Sequence, residues 1–321
     1  MSGKHPVRLV IALAFGSVYL CWGATYTAMS VGVHFLPATI LAGTRMVAGA
    51  LLMFFFCALR GKQLVYSRGI MAQLALLGIL MLFAGNIGLV WSERYIASGL
   101  AALFVAVVPL YVALIEGLFP GGERLHARGT AGLFLGLLAL SVLLGPSTRV
   151  AFAANRAGAS IQLVAAVVVL LGAFSFASGS VLFRRMRLPV DPLVAAGWEM
   201  LTAGLCNLSI ASLARQWPSA IWNVKSIGAI GYLVLFGSLF GFSCYIWLLH
   251  HVPVAKVATY AFVNPVVAVF LGSLVLSEHL QPTEYVGMIM VICAVALVIS
   301  SQTRNGRPTA ELGTARLEHE A

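Results

Sequence analysis

Two stretches decide how this chain folds: ASGLAALFVAVVPLYVALIEGLF (97–119) and VAKVATYAFVNPVVAVFLGSLVL (254–276). Each is an apolar run longer than the roughly 20 residues that a helix needs to cross the hydrocarbon layer of a bilayer. Each carries one proline near its middle, Pro109 and Pro265, set 156 positions apart. A proline inside a helix removes a backbone donor and frees the carbonyl four residues earlier, here those of Val105 and Ala261. At membrane depth such a carbonyl must find a partner or face a water-filled cavity, which makes both prolines candidate hinges or cavity walls. The plainer alternative is a tolerated kink that helps curved packing.

Working outward, apolar runs of sufficient length predict ten helices at about 9–30, 38–59, 69–90, 97–119, 128–145, 161–183, 193–214, 227–249, 254–276 and 282–301. Turn and charge signals separate them, as in Leu59-Arg60-Gly61-Lys62, Pro120-Gly121-Gly122-Glu123-Arg124 and Arg184-Arg185-Met186-Arg187-Leu188-Pro189. Composition agrees, since 60% of the 321 residues are hydrophobic and 9% are charged, whereas charged residues make up about a quarter of an ordinary soluble domain. An all-α integral membrane protein with no room for a soluble domain is expected.

The net charge of +10 comes from Lys and Arg scattered through short loops, a distribution unlike the basic stripe of a nucleic-acid binder. It reads instead as topology. With the N-terminus inside, Lys4, Arg8, Arg60, Lys62, Arg68, Arg124, Arg128, Arg184, Arg185, Arg187, Arg304, Arg307 and Arg316 lie in cytoplasmic segments, against Arg94, Arg149, Arg156, Arg215 and Lys225 outside. Both termini are therefore expected in the cytoplasm, and the first apolar run, too long for a signal-peptide core, remains as a span. Cys21, Cys57, Cys206, Cys244 and Cys293 fall inside apolar segments without metal or redox spacing, so free thiols, no metal and no cofactor are expected.

The offset of 156 that pairs the prolines also lays Gly23 on Gly179 and Trp91 on Trp247; after a one-residue gap Glu123 meets Glu278 and Gly132 meets Gly287. One register serving four helices points to duplication. Residues 9–145 and 161–301 then form two five-helix repeats joined by an external linker at 146–160, with a disordered cytoplasmic tail at 302–321. An odd number of spans per repeat inverts the second copy, the plan of secondary transporters whose substrate site lies near the midplane between the halves.

Trp22-Gly23, Arg45, Val108-Pro109-Leu110 with its counterpart Asn264-Pro265-Val266, and the loops Gly122-Glu123-Arg124-Leu125 and Ser277-Glu278-His279-Leu280 together resemble the drug/metabolite transporter superfamily, specifically EamA-type exporters. The resemblance runs from about residue 9 to 301. It implies ten spans in two repeats, a bacterial inner-membrane location and export of metabolites such as amino acids. It supplies no universal ion-binding signature and names no substrate.

Candidate site residues follow from polarity at membrane depth. Lys256, Tyr260 and Asn264 recur every four residues and share one face of the ninth helix, where polar groups mark a pathway; the alternative is a snorkelling lysine with two groups bonding helix to helix. Trp22 and Tyr26 belong to an aromatic stripe with Phe15 and Tyr19, either packing or the wall of a ligand cavity. Asn86, Ser175 and Ser178 add small polar groups. Arg45 and Glu199 are charges inside the second and seventh helices, where each costs at least about 2.5 kcal/mol; Arg45 is a candidate for a substrate carboxylate and Glu199 for coupling, and both have structural alternatives. His250-His251 lacks any completing ligand and is assigned to a loop.

A small-molecule substrate and the lipid bilayer are the expected partners, nucleic acid is not, and one chain already supplies both halves. The expected function is export of an amino acid or related metabolite by alternating access. Extrusion of cationic or apolar drugs is the alternative within the same fold: an acidic Glu199 in the cavity favours cations, and Arg45 there favours acids. An integral membrane enzyme would need a concentrated reactive set, which the sequence lacks. The absence of a GxxxxGK[ST] loop argues against ATP.

Overall fold

The computed structural model describes residues 4–119, 127–154 and 157–303. Every regular element among them is helical. In chain order these are α1 (Lys4–Val33), α2 (Ala38–Leu59), α3 (Arg68–Gly78), a π-helical stretch (Ile79–Ala84), α4 (Gly85–Ser92), α5 (Ser98–Val105), α6 (Val108–Leu118), α7 (Ala127–Ala154) and α8 (Ala157–Met186). There follow α9 (Pro192–Leu213), a 3₁₀ turn (Trp217–Ser219), α10 (Val224–Tyr232), a second π-helical stretch (Leu233–Phe242), α11 (Ser243–His251), α12 (Val254–Val257), α13 (Tyr260–Leu276) and α14 (Pro282–Thr303).

Among the described residues, seven stretches are long and apolar enough to cross a membrane: Leu9–Val33, Ala38–Leu59, Arg68–Ser92, Ser98–Leu118, Ile161–Met186, Pro192–Leu213 and Val224–His251. Shorter apolar helical stretches at Ala127–Leu143, Val263–Leu276 and Pro282–Val298 accompany them. Large apolar side chains such as Phe55, Phe134, Leu171, Phe270 and Leu274 point outward. Water would penalise so wide an exposed apolar belt, and lipid tails would not.

Local chemistry sets several boundaries. Pro192 opens α9 while the Asp191 carboxylate accepts from the Leu193 amide at 2.9 Å. Asn223 and Ser226 form a reciprocal capping box at the start of α10. Arg184 and Arg185 occupy the last turn of α8, where a helix end attracts cations. Ser277 closes α13 with a left-handed φ of 55°.

The structure departs from the sequence expectation in four places. The third and eighth apolar runs are not continuous α-helices but contain the π stretches, and shifting 79–84 by 156 places it inside 233–242. The two proline-bearing runs are broken unequally: the first between Val105 and Val108, with Pro109 in the first turn of α6, and the second between Val257 and Tyr260, with Pro265 inside α13. At a helix start the missing N–H of Pro109 removes no helical bond, so the chain breaks rather than kinks there. Helix also continues through 146–154 and resumes at Ala157, over most of the expected linker. His250 and His251 form the last turn of α11 rather than a loop. The Gly122–Leu125 loop and the tail from 304 lie outside the described residues.

Packing follows a paired scheme. α2 lies against α9 and α7 against α14. α1 packs on α13 and on the π stretch 233–242, while α8 packs on α4, α5 and α6 and on the π stretch 79–84. Where α4 meets α8, an added Cβ at Gly85 would lie 3.0 Å from Phe176 Cβ and one at Gly172 would lie 3.2 Å from the Gly85 carbonyl oxygen. Glycine on both sides lets the two backbones approach, the usual device for helix association in lipid.

Candidate functional site

A cavity of about 80 Å³ lies where these elements converge. α1 contributes Trp22, Thr25, Tyr26 and Met29, α2 contributes Arg45 and Met46, and the first π stretch with α4 contributes Met81, Leu82, Gly85, Asn86 and Leu89. Val105 and Val108 flank the break before α6, Ala173 and Phe176 come from α8, and Met200 from α9. Gly237, Ser238 and Phe242 of the second π stretch and Tyr260 of α13 complete the wall. No described residue of α7 or α14 is in the lining.

Trp22 organises the aromatic side. Its ring centroid is 4.9 Å from that of Tyr245, 5.2 Å from Tyr260 and 6.0 Å from Phe176, the latter two edge to face, an arrangement aromatic quadrupoles favour. Tyr245 is buried, and its hydroxyl donates to Ser180 Oγ at 2.8 Å. The indole Nε1 of Trp22 donates to the Gly237 carbonyl at 3.1 Å. Only glycine fits beneath the ring at Gly241, where a Cβ would meet the indole at 2.5 Å. On the other side, Ser175 Oγ donates to the Leu80 carbonyl at 2.8 Å. Each π stretch thus has one backbone carbonyl bonded by a side chain from a neighbouring helix, which satisfies a group that an α-helix would bond internally.

Arg45 is the charged group of the lining. It is 7% exposed, its Nη2 donates to Asn86 Oδ1 at 3.2 Å, and its Nε is buried without a partner among the described residues. No carboxylate stands among the described residues of the lining.

The profile of the EamA-like transporter family matches residues 8–145 and, a second time, residues 163–300. The chain belongs to the EamA-like transporter family. Among relatives of this EamA-like transporter, the Escherichia coli K12 protein "Uncharacterized inner membrane transporter YedA" is 34% identical over 288 residues, covering 89% of each chain. The Bacillus subtilis "Uncharacterized transporter YoaV" is 24% identical over 89% of this chain and 95% of its own. The E. coli K12 "Probable amino-acid metabolite efflux pump" is 24% identical over 91% of this chain and 93% of its own. A solved crystal structure superposes with a TM-score of 0.67 at 20% identity, over 92% of this chain and 99% of that one, a likeness of fold.

Of the residues singled out in the transporter's sequence, Trp22, Tyr26, Asn86, Tyr260 and Arg45 meet at the cavity. Asn264 is buried just behind it: with its amide nitrogen facing the neighbouring carbonyls, it donates to Tyr260 O at 3.3 Å and Tyr19 O at 3.1 Å, tying α13 to α1. Ser175 and Ser178 lie off the lining, because one hydroxyl bonds Leu80 and the other the Phe174 carbonyl of its own helix. Lys256 is exposed in the last turn of α12 and is not among the lining residues. Pro109 and Pro265 are not among the lining residues, although Val105, whose carbonyl Pro109 was expected to free, is.

Glu199 is fully buried and neither of its oxygens has a hydrogen-bond partner in the described residues. It does not pair with Arg45 and is absent from the lining, for it sits where α9 passes close to α3: a Cβ at Gly78 would lie 2.6 Å from the Glu199 carbonyl oxygen. Sequence reasoning missed Thr25, Met81, Phe176, Ser238 and Phe242, all in the lining. The 156 offset held one available signal, since it lays Asn86 on Phe242.

Proposed function

We propose that this EamA-like transporter is a secondary exporter that carries a small organic metabolite, an amino acid or related compound, out of the cytoplasm by alternating access. Ten spans in two inverted five-helix repeats, 9–145 and 161–301, would sit in a bacterial inner membrane with both termini cytoplasmic. The observation that carries the reading is the cavity itself: both family-matched ranges line it, and a π stretch from each faces it at equivalent positions. π-helical turns inside α-helices recur at functional sites. The paired packing of α1 with the 233–242 stretch and of α8 with the 79–84 stretch supports a two-fold exchange between the halves.

Arg45 in the lining and Glu199 outside it favour an acid or zwitterion over a cationic drug. The efflux-pump relative supports amino-acid-like substrates at 24% identity. The test is overexpression in a sensitive bacterial host challenged with toxic amino-acid analogues and with cationic drugs. Resistance and lowered intracellular analogue are expected for the first group; unchanged sensitivity to every compound contradicts export, and resistance confined to cationic drugs contradicts the substrate class.

A further inference from the structure

A buried guanidinium with no counter-ion among the described residues stands in the cavity wall. Arg45 is nine-tenths buried, its single hydrogen bond among the described residues goes to the neutral Asn86, and Nε is left over. The ion pairs of the described residues, Lys62–Asp191 and Arg185–Glu116, lie elsewhere. An uncompensated charge away from water is unfavourable, and a residue kept in that state at a cavity wall is poised for an anion. Guanidinium presents a planar fork that matches a carboxylate, and Asn86 lies on the same side of the cavity. The lining also includes Trp22, Phe176, Phe242 and Tyr260, which offer apolar aromatic surface, and among its described residues no acid to receive an ammonium.

We infer that the substrate is a small monocarboxylate anion with a compact apolar body, its carboxylate held by Arg45 beside Asn86 and its body packed against the aromatic wall. This deepens the export reading and rests on it. It ranks an organic acid above the corresponding amino acid, and both above a neutral amide or an amine.

The test uses purified full-length protein in detergent and four probes with a shared branched body: isovalerate, leucine, isovaleramide and isoamylamine. Binding is read by calorimetry and by the melting temperature, which rises only for a ligand that prefers the folded state. Isovalerate is expected to bind best, and R45Q to weaken it about 10- to 100-fold, the usual effect of losing a hydrogen-bonded charge; R45K should retain part of the affinity. N86D places a carboxylate beside the guanidinium within the protein itself, so it should raise the melting temperature without ligand and abolish the isovalerate effect. That variant carries the test if R45Q does not fold. Equal binding of the amide or amine, unaltered in R45Q, overturns the anion inference and leaves the export cavity standing. Stabilisation by chloride or phosphate as strong as by isovalerate assigns an inorganic ion site and overturns it too. No binding by any of the four overturns the inference together with the metabolite reading of the cavity.

Discussion

The Trp22 indole donates to the Gly237 carbonyl at 3.1 Å, a bond between α1 and the middle of a π-helical stretch more than two hundred residues away in the chain. Ser175 makes the corresponding bond to Leu80 in the other π stretch. Both join an element of one family-matched range to an element of the other. The widened helices that face the cavity are therefore held in shape from across the molecule.

Removing either donor should loosen its π stretch. Trp22→Phe keeps an aromatic ring but leaves the Gly237 carbonyl without its partner, and a loss of about 1–3 kcal/mol is expected. Ser175→Ala should cost about the same by the same argument. Melting temperature in detergent and transport in liposomes check both; variants as stable and active as the parent would mean the π stretches hold themselves.

Gly241 and Gly228 make a matched pair. A Cβ at Gly241 would strike the Trp22 ring, whereas at Gly228 nothing lies within 4 Å. Gly241→Ala should destabilise by about 1–3 kcal/mol through overpacking. Gly228→Ala, inside α10, should be neutral or stabilise by up to about 1 kcal/mol. Equal melting temperatures for the two variants would contradict the close seat of Trp22.

Tyr260 and Asn264 lie one turn apart with different duties. Tyr260→Phe removes a hydroxyl from a residue of the cavity wall, so transport should fall while expression and melting hold. Asn264→Ala removes a side chain that bridges two backbone carbonyls, and expression should fall in step with activity, by about 1–3 kcal/mol in stability. The opposite pattern would exchange their roles.

How much of this was legible in the sequence depends on which physical signal each feature leaves. Apolar runs longer than a bilayer is thick are hard to misread, and each predicted run contains helix in the structure. Charge at depth picked out Arg45, an aromatic stripe Trp22, and polar residues recurring every four positions Tyr260, all three of which are in the lining. The π stretches left no comparable signal, because Ile79–Ala84 and Leu233–Phe242 are apolar like their flanks, and the bonds their carbonyls accept from Ser175 and Trp22 come from residues distant in the chain. Ser175 and Ser178 show the converse: spacing reports that a hydroxyl is deep, but whether it bonds a neighbouring carbonyl or faces a cavity is fixed by packing. Phe176 was hidden because one more phenylalanine in an apolar helix carries no distinguishing mark, and Phe242 was marked only by its register with Asn86 at the 156 offset.

Two ion pairs bridge the matched ranges at one end of the molecule, Lys62–Asp191 at 2.5 Å and Arg185–Glu116 at 2.6 Å. Their side chains are 19–30% exposed, so each contributes at most about 1 kcal/mol. That is enough to bias two conformations separated by a few kcal/mol. In a D191N and E116Q double variant, spin labels on the exposed Gln63 and Pro189 should report a longer distance than in the parent. An unchanged distance distribution would remove these pairs from any gating role.

The most direct test of a transport cavity shared by the two halves is its access from each side of the membrane. Ser238, buried in the second π stretch and part of the cavity wall, is replaced by Cys in a chain whose Cys21, Cys57, Cys206, Cys244 and Cys293 have been changed to Ser. A membrane-impermeant maleimide is then applied to right-side-out and to inverted vesicles. Alternating access requires labelling from both sides, with each rate slowed by a bound substrate. Labelling from one side only, or from neither while the protein still transports, would contradict it.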